Sequence, residues 1–278
     1  MIKSEMKLAP EMENLKTKLK ATWMAGDFGQ IARAYASGSE EFIARLNLKS
    51  GEEVLDVACG TGNTAIPAAR TGAIVTGVDI APNLLEQARQ RAQTEGVQCQ
   101  FDEGDAENLP YDDHSFDTVI TMFGAMFAPR PEKVAAEFVR VCRPVGRIAM
   151  ANWTPGGFVG QMFKIGASYV PPPPNMPSPV LWGDEASVKE RFKEGISDLQ
   201  MNRRMITFEY PFSPEEVVAH FRKYYGPMQK IFDALETDKE KQNELRRELE
   251  KHWAKHNQAS DGTTKAESEY LEIVAHRA

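Results

Sequence analysis

Three cysteines, Cys59, Cys99 and Cys142, are scattered through 278 residues. They are too few and too dispersed for a disulfide framework or a cysteine-based zinc site. No apolar run approaches the roughly 18–20 residues that a bilayer-crossing helix needs. The opening segment, MIKSEMKLAPEMENLKTKLK, lacks the apolar core of a signal peptide. Nor is there an excess of positive charge, since 33 Lys and Arg face 40 Asp and Glu for a net charge of -7. Nucleic-acid binders neutralise phosphates with Lys and Arg, so this balance argues against such a partner. What remains, 42% hydrophobic and 26% charged residues, is the ordinary makeup of a globular chain able to bury a core. A cytoplasmic protein without a membrane span is expected. Monomer and homodimer stay open.

No internal repeat is present. Residues 1–48 are largely helical in pattern and end on EEFIARLNL, where Phe42, Ile43, Leu46 and Leu48 mark an apolar side. Beyond the break at Lys49-Ser50-Gly51, strand and helix patterns alternate. Strands are expected at Val54–Ala58, Ala73–Val78, Val97–Phe101, Phe116–Met122 and Val145–Asn152. Between them lie a brief helix at 63–70 and one that opens at Pro82, a residue the first helical turn tolerates, and carries Leu84, Leu85, Ala88 and Ala92. A third helix has Val134, Ala135, Phe138, Val139 and Cys142 as its stripe. Such βαβα order predicts a doubly wound, mostly parallel sheet with helices on both faces. Residues 154–183, with five glycines and the Pro171–Pro174 run, read as loop and broken helix. Strands at Met201–Tyr210 and Tyr270–Ala275, flanking a helical stretch at 213–257, bring the sheet to seven strands. The expected organisation is one α/β domain: a helical cap at 1–48, a core at 49–153, and returning strands with helical insertions at 154–278.

The segment Val54-Leu55-Asp56-Val57-Ala58-Cys59-Gly60-Thr61-Gly62-Asn63 carries the chemistry. A tight strand-to-helix turn with backbone close enough to touch a ligand calls for glycine, and the helix start presents free N–H groups. The second strand ends in Thr76-Gly77-Val78-Asp79, placing an acid where it can accept bonds from two ribose hydroxyls. The plain alternative for Asp79 is a charge at a helix N-terminus.

These residues resemble class I S-adenosylmethionine-dependent methyltransferases, nearest to the ubiquinone/menaquinone-biosynthesis-like type 11 group. VLDVACGTGN resembles the first motif of that family and GVDIAPNLLEQAR the second. EGDAENLPYDDHSFDTVI resembles the adenine-holding segment, and RVCRPVGRIAMANW the fifth-strand motif. The resemblance spans residues 22–153 and implies a Rossmann-like sheet with S-adenosylmethionine as cofactor and S-adenosylhomocysteine as product. Ala58 stands where many members have the first glycine, and Val145 where a glycine usually follows the proline.

Carried over position by position, the resemblance implies that Gly60 and Gly62 let the loop approach the methionyl part of the cofactor. Asp56 would orient that loop or reach the cofactor's amino group. Asp79 holds the ribose with Ile80 against the adenine, Asp105 accepts from the adenine amino group, and Ala106 lies beside the ring. Met122 and Phe123 lie along the cofactor near the methyl. Trp23 and Tyr35 are candidate lid residues, with helix packing as the alternative.

Methyl transfer from a sulfonium needs an aligned nucleophile and a dry site more than a base. The candidates for a catalytic role are His220 and Tyr224, four residues apart in an insertion expected to face the cofactor. His114 reads as part of a solvated turn. His252 and His256 lack a third ligand, so no metal is expected, and the charged run from Lys239 to Lys255 reads as a solvated face. The acceptor wall is expected after the fourth and fifth strands, from Phe123, Met126, Phe127, Trp153, Phe158, Phe163, Tyr169 and Trp182. Their density favours a small, partly apolar or aromatic acceptor. The cysteine positions speak against an arsenic acceptor. Two other readings compete: a nicotinamide-dependent oxidoreductase using Gly60-Thr61-Gly62-Asn63-Thr64-Ala65 as its fingerprint, and a non-catalytic cofactor-binding regulatory module.

Overall fold

A computed structural model describes residues 9–174 and 176–278; the first eight residues of the expected cap lie outside the described residues. Three helices precede the sheet: α1 (Pro10–Met24), α2 (Phe28–Ala32) and α3 (Ala36–Leu46). The alternating part follows as β1 (Glu53–Val57), α4 (Ala65–Arg70), β2 (Ile74–Asp79), α5 (Pro82–Glu95), β3 (Cys99–Glu103), β4 (Phe116–Met122), α6 (Pro131–Val141) and β5 (Cys142–Trp153). Then come α7 (Phe158–Tyr169), α8 (Glu185–Arg191), β6 (Ile196–Tyr210), α9 (Pro214–Tyr224), α10 (Gly226–Ala234), α11 (Lys239–His256) and β7 (Thr264–Arg277).

Among the described residues the strands form one seven-stranded sheet in the order β3-β2-β1-β4-β5-β7-β6. Pairing is parallel from β3 to β5, and β7 runs antiparallel to both β5 and β6. Val54, Leu55, Asp56 and Val57 are all buried, because β1 lies mid-sheet with both faces covered. Pro82 opens α5, and Gly96 ends it in the left-handed conformation at φ 68°. The expected stripe of Leu84, Leu85, Ala88 and Ala92 is buried against the sheet. Strand order reverses between β1 and β4, and in open α/β sheets ligands bind beyond the strand ends at such a switch point.

Three local expectations are corrected. Cys142 does not belong to the helix stripe; it opens β5, pairs in register with Phe116, and its thiol meets the Arg147 carbonyl at 3.6 Å. Residues 158–169 form a regular helix, α7, because Phe158, Val159 and Met162 have a core to bury into despite the surrounding glycines. The charged helix α11 is not a solvated face throughout. It bears the expected exposed pair Arg246–Glu250, but buries Leu245, Leu249, His252 and Trp253. His252 stacks on Phe158 at 4.5 Å and its Nε2 lies 3.0 Å from the Phe158 carbonyl, so burial holds its pKa below the usual histidine value.

Val145 is 88% exposed with φ 58°, a left-handed backbone that costs an L-residue about 1–2 kcal/mol and is worst for a branched side chain. Val145→Gly is therefore expected to stabilise the fold by up to about 1 kcal/mol after the greater freedom of unfolded glycine is offset. Urea denaturation of the two proteins checks this. A destabilised variant would mean the valine makes contacts that outweigh its strain.

Candidate active site

β1 stops at Val57 and the chain turns at once, with Ala58, Gly60 and Gly62 all at positive φ (56°, 53° and 79°). Two of the three positions are glycine, for which this backbone is free. Ala58 bears the strain there with the smallest possible side chain. Asp79, at the end of β2, fastens the turn: one carboxylate oxygen accepts from the Gly60 N–H at 2.9 Å, the other from the Ala81 N–H at 2.9 Å. Its carboxyl is buried, and desolvation raises its pKa while the backbone N–H groups of Ala81, Gly60 and Ile80 pull it back. From α5, the Arg91 guanidinium donates to the Thr61 carbonyl and to Asn63 Oδ1, each at 2.6 Å. Asn63 in turn donates to the Ala32 carbonyl at 3.3 Å, which ties the loop to the N-terminal helices.

Above these strand tips lies a cavity of about 460 Å³, within the range of roughly 300–1,000 Å³ usual for small-molecule sites. Of the expected site residues, Trp23, Tyr35, Ala58, Gly60, Asp79, Ile80, Asp105, Ala106, Met122 and Phe123 stand in its wall. Gly62 and Asp56 do not. A side chain at Gly62 would press on Ile66 at 3.1 Å, so this position serves loop-to-helix packing. Asp56 lies fully buried beneath the turn and accepts from Thr64 Oγ1 at 2.6 Å. Burial pushes its pKa up to about 7, against the pull of the Thr64 bond. Thr64 itself reaches the cavity.

His220 and Tyr224 are not brought to the cavity. His220 Nε2 lies 3.2 Å from the Gln30 carbonyl, and its ring packs among Tyr210, Phe212 and Tyr224. The expected acceptor wall is also redistributed. Phe123 and Phe127 line the cavity, whereas Met126, Trp153, Phe158 and Trp182 are core residues with 5% exposure or less. Phe123 holds its place by stacking on Trp153, centroids 3.5 Å apart and 7° from parallel.

The missing aromatic surface comes from the N-terminal helices. Trp23 meets Phe28 at 5.7 Å and Phe127 at 4.9 Å, and Tyr35 meets Phe123 at 5.9 Å. Lys16, Leu19, Lys20 and Trp23 form the face that α1 turns to the cavity. Their spacing of three and four is the signal that could have found them. Lys16 pairs with Asp105 and Glu107, and Lys20 with Glu103. Glu107 is buried and also held by Arg130 Nε at 2.7 Å, so these acids form a fixed rim beyond β3.

A model described as a methyltransferase domain matches residues 55–150, the stretch from β1 into β5. An uncharacterized protein of Mycobacterium tuberculosis is 35% identical over 271 residues, covering 97% of both chains. The demethylmenaquinone methyltransferase of Tropheryma whipplei is 36% identical over 129 residues, 46% of this chain and 53% of that one. In fold, the chain superposes on phosphoethanolamine N-methyltransferase 2 of Haemonchus contortus, solved with S-adenosylhomocysteine, with a TM-score of 0.54 and 19% identity. That match covers 85% of this chain and 52% of the other.

The chain belongs to the class I S-adenosylmethionine-dependent methyltransferases. S-adenosylmethionine is its cofactor, and the oxidoreductase reading of the glycine loop is set aside. For a methyltransferase of this class the positions of Asp79 and the Gly60 turn agree with the strand order: both lie where β1 and β2 end beside the switch point. Among the described residues no helix is long and apolar enough to cross a membrane. No group of three or more His, Cys, Asp or Glu among them could hold a metal ion.

Proposed function

We propose that this methyltransferase transfers its methyl group to a small, partly apolar or aromatic acceptor. The observation that carries the reading is a single cavity whose wall holds both the cofactor-motif residues and the aromatic side chains Trp23, Phe28, Phe123 and Phe127. The residues present fit the cofactor. A Cβ built at Gly60 meets only Phe28, at 4.0 Å, so the missing side chain leaves the backbone open to a ligand. Asp79 uses one lone pair of each oxygen on the loop and retains others for the ribose hydroxyls. Ile80 and Ala106 flank the adenine, and Asp105 accepts from its amino group. Asp56 acts through Thr64, whose hydroxyl donates to the carboxylate and keeps its lone pairs for the cofactor's ammonium. Met122 and Phe123 lie along the methionyl part. Trp23 and Tyr35 belong to a cap, residues 9–48, that closes over a core at 49–153; residues 154–278 complete the sheet.

The cofactor supplies a methyl on a sulfonium, whose departure as a neutral thioether needs no acid. The chain's part is to hold the acceptor in line and exclude water, an entropic contribution of up to about 7–11 kcal/mol in well-aligned cases. Calorimetric titration with S-adenosylmethionine and S-adenosylhomocysteine tests the site, followed by a screen of aromatic acceptors for formation of S-adenosylhomocysteine from S-adenosylmethionine. Micromolar binding of both with turnover of an aromatic acceptor is the expected outcome. Binding with turnover confined to sugar phosphates or polymers would overturn the acceptor assignment.

A further inference from the structure

The charged groups of the cavity are confined to one end. Asp79 ends β2, Glu103 ends β3 and Asp105 follows it, while Lys16 and Lys20 are paired with those β3-side acids. No other charged residue lines the cavity among the described residues. Away from the charged end, past the tip of β4, the wall is Phe123 and Phe127, with Trp23 against Phe127 at 4.9 Å, and two hydroxyls belong to the same cavity wall, those of Tyr35 and Ser39. Tyr35 is fixed at this end by edge contacts to Phe123 at 5.9 Å and Trp153 at 6.4 Å, and Ser39 follows one helical turn later on α3.

Ser39 is 1% exposed, stands in the cavity wall, and its hydroxyl has no partner. A buried hydroxyl without a partner costs stability that alanine at the same place would not, so an unpartnered hydroxyl in a cavity wall points to a ligand oxygen. The Tyr35 hydroxyl likewise has no protein partner among the described residues. Burial raises its pKa well above the usual tyrosine value, so it stays protonated and can donate.

Resting on the methyltransferase reading above, we propose that Tyr35 and Ser39 form the acceptor's oxygen-binding site, and that the acceptor is a phenol or enol methylated on oxygen. Three features select this class. An amine would gain a positive charge on methylation, and this end has no carboxylate to meet it. A carboxylate- or phosphate-bearing acceptor would find no cation here. A hydroxyl nucleophile finds no base here either, so it must be acidic enough to release its proton to water before transfer. Two hydroxyl donors then stabilise the resulting oxyanion through charge-assisted bonds. The oxygen gives an electron pair to the methyl carbon, the carbon–sulfur bond breaks with its pair left on sulfur, and neutral ether and thioether result.

The probe is 4-nitrophenol, whose anion absorbs in the visible, titrated with pH on the full protein saturated with S-adenosylhomocysteine. Wild type is expected to bind the phenolate about tenfold or more tighter than the phenol, the scale of one charge-assisted hydrogen bond. Tyr35→Phe and Ser39→Ala should each reduce that preference about threefold or more while S-adenosylhomocysteine affinity, measured by calorimetry, is unchanged. Ser39→Ala removes an unpartnered group and is expected to fold at least as well as wild type. Absent binding, binding without preference for the anion, or a preference that survives both substitutions overturns the proposal. So does methylation of glycine or ethanolamine phosphate in place of phenols. Failure of wild type to bind S-adenosylhomocysteine would instead remove the cofactor site beneath it.

Discussion

Asp79→Asn is expected to weaken S-adenosylmethionine binding by about 10- to 150-fold, the 1.5–3 kcal/mol typical of hydrogen bonds to a charged group. It should also destabilise the ligand-free protein, for a separate reason. Both oxygens of Asp79 accept backbone N–H groups, from Gly60 and Ala81, and an asparagine amide can accept on only one side. One N–H of the turn would then be buried opposite an NH2, a loss of about 1–3 kcal/mol. Calorimetric titration reads the first effect and urea denaturation without cofactor the second. Unchanged affinity in a folded variant would show that Asp79 fastens the loop and does not touch the ribose.

The largest effect on stability is expected at Asp56. The folded carboxyl is shifted from 3.8 to about 7 by burial, so the folded state keeps a proton that the unfolded chain releases. Its contribution to stability is fully present below the unfolded pKa and lost as pH rises through the folded one. Between about pH 4 and pH 7 the protein should therefore lose on the order of 4 kcal/mol from this group alone. Asp79, shifted in the same direction, adds to the trend, so the comparison needs a variant. Asp56→Asn can still accept from Thr64 and cannot ionise, but its NH2 group takes the place of an oxygen that has no partner. That new unpaired donor costs about 1–3 kcal/mol, less than the ionisation it removes. The variant should be less stable than wild type at pH 4, more stable at pH 8, with the curves crossing between. Parallel pH profiles would show that Asp56 stays ionised in the fold.

What could be read from sequence was whatever the backbone alone dictates. The Gly60 turn and the acid of β2 follow from strand, glycine and helix in fixed order, and Pro82 marks the start of α5 by its own dihedral preference. Less was legible where placement depends on which side of the sheet a residue faces. Trp153 and Trp182 have the composition of an acceptor wall yet fill the core, because apolar character is the same on either side of a strand tip. Phe28 and Ser39 reach the site only because the N-terminal helices fold across the tips of β1 and β4, a tertiary fact without a local signature. His220 and Tyr224 show the converse: helical spacing set them side by side, but α9 turns His220 toward α2 and β6, with the Tyr224 ring against it, and neither lines the cavity.

The position of β7 bears on how the chain is made. β6, complete at Tyr210, borders β7, which begins only at Thr264 and also separates it from β5. On a ribosome adding about 5–20 residues per second, both flanking strands wait several seconds with open hydrogen-bonding edges. During that interval β5 and β6 could meet each other, or a neighbouring nascent chain, in a register the finished sheet does not use. The charged residues Arg203, Arg204 and Glu209, set among the apolar residues of β6, work against such encounters. Slower elongation, which lengthens that interval, should thus lower the yield of folded chain.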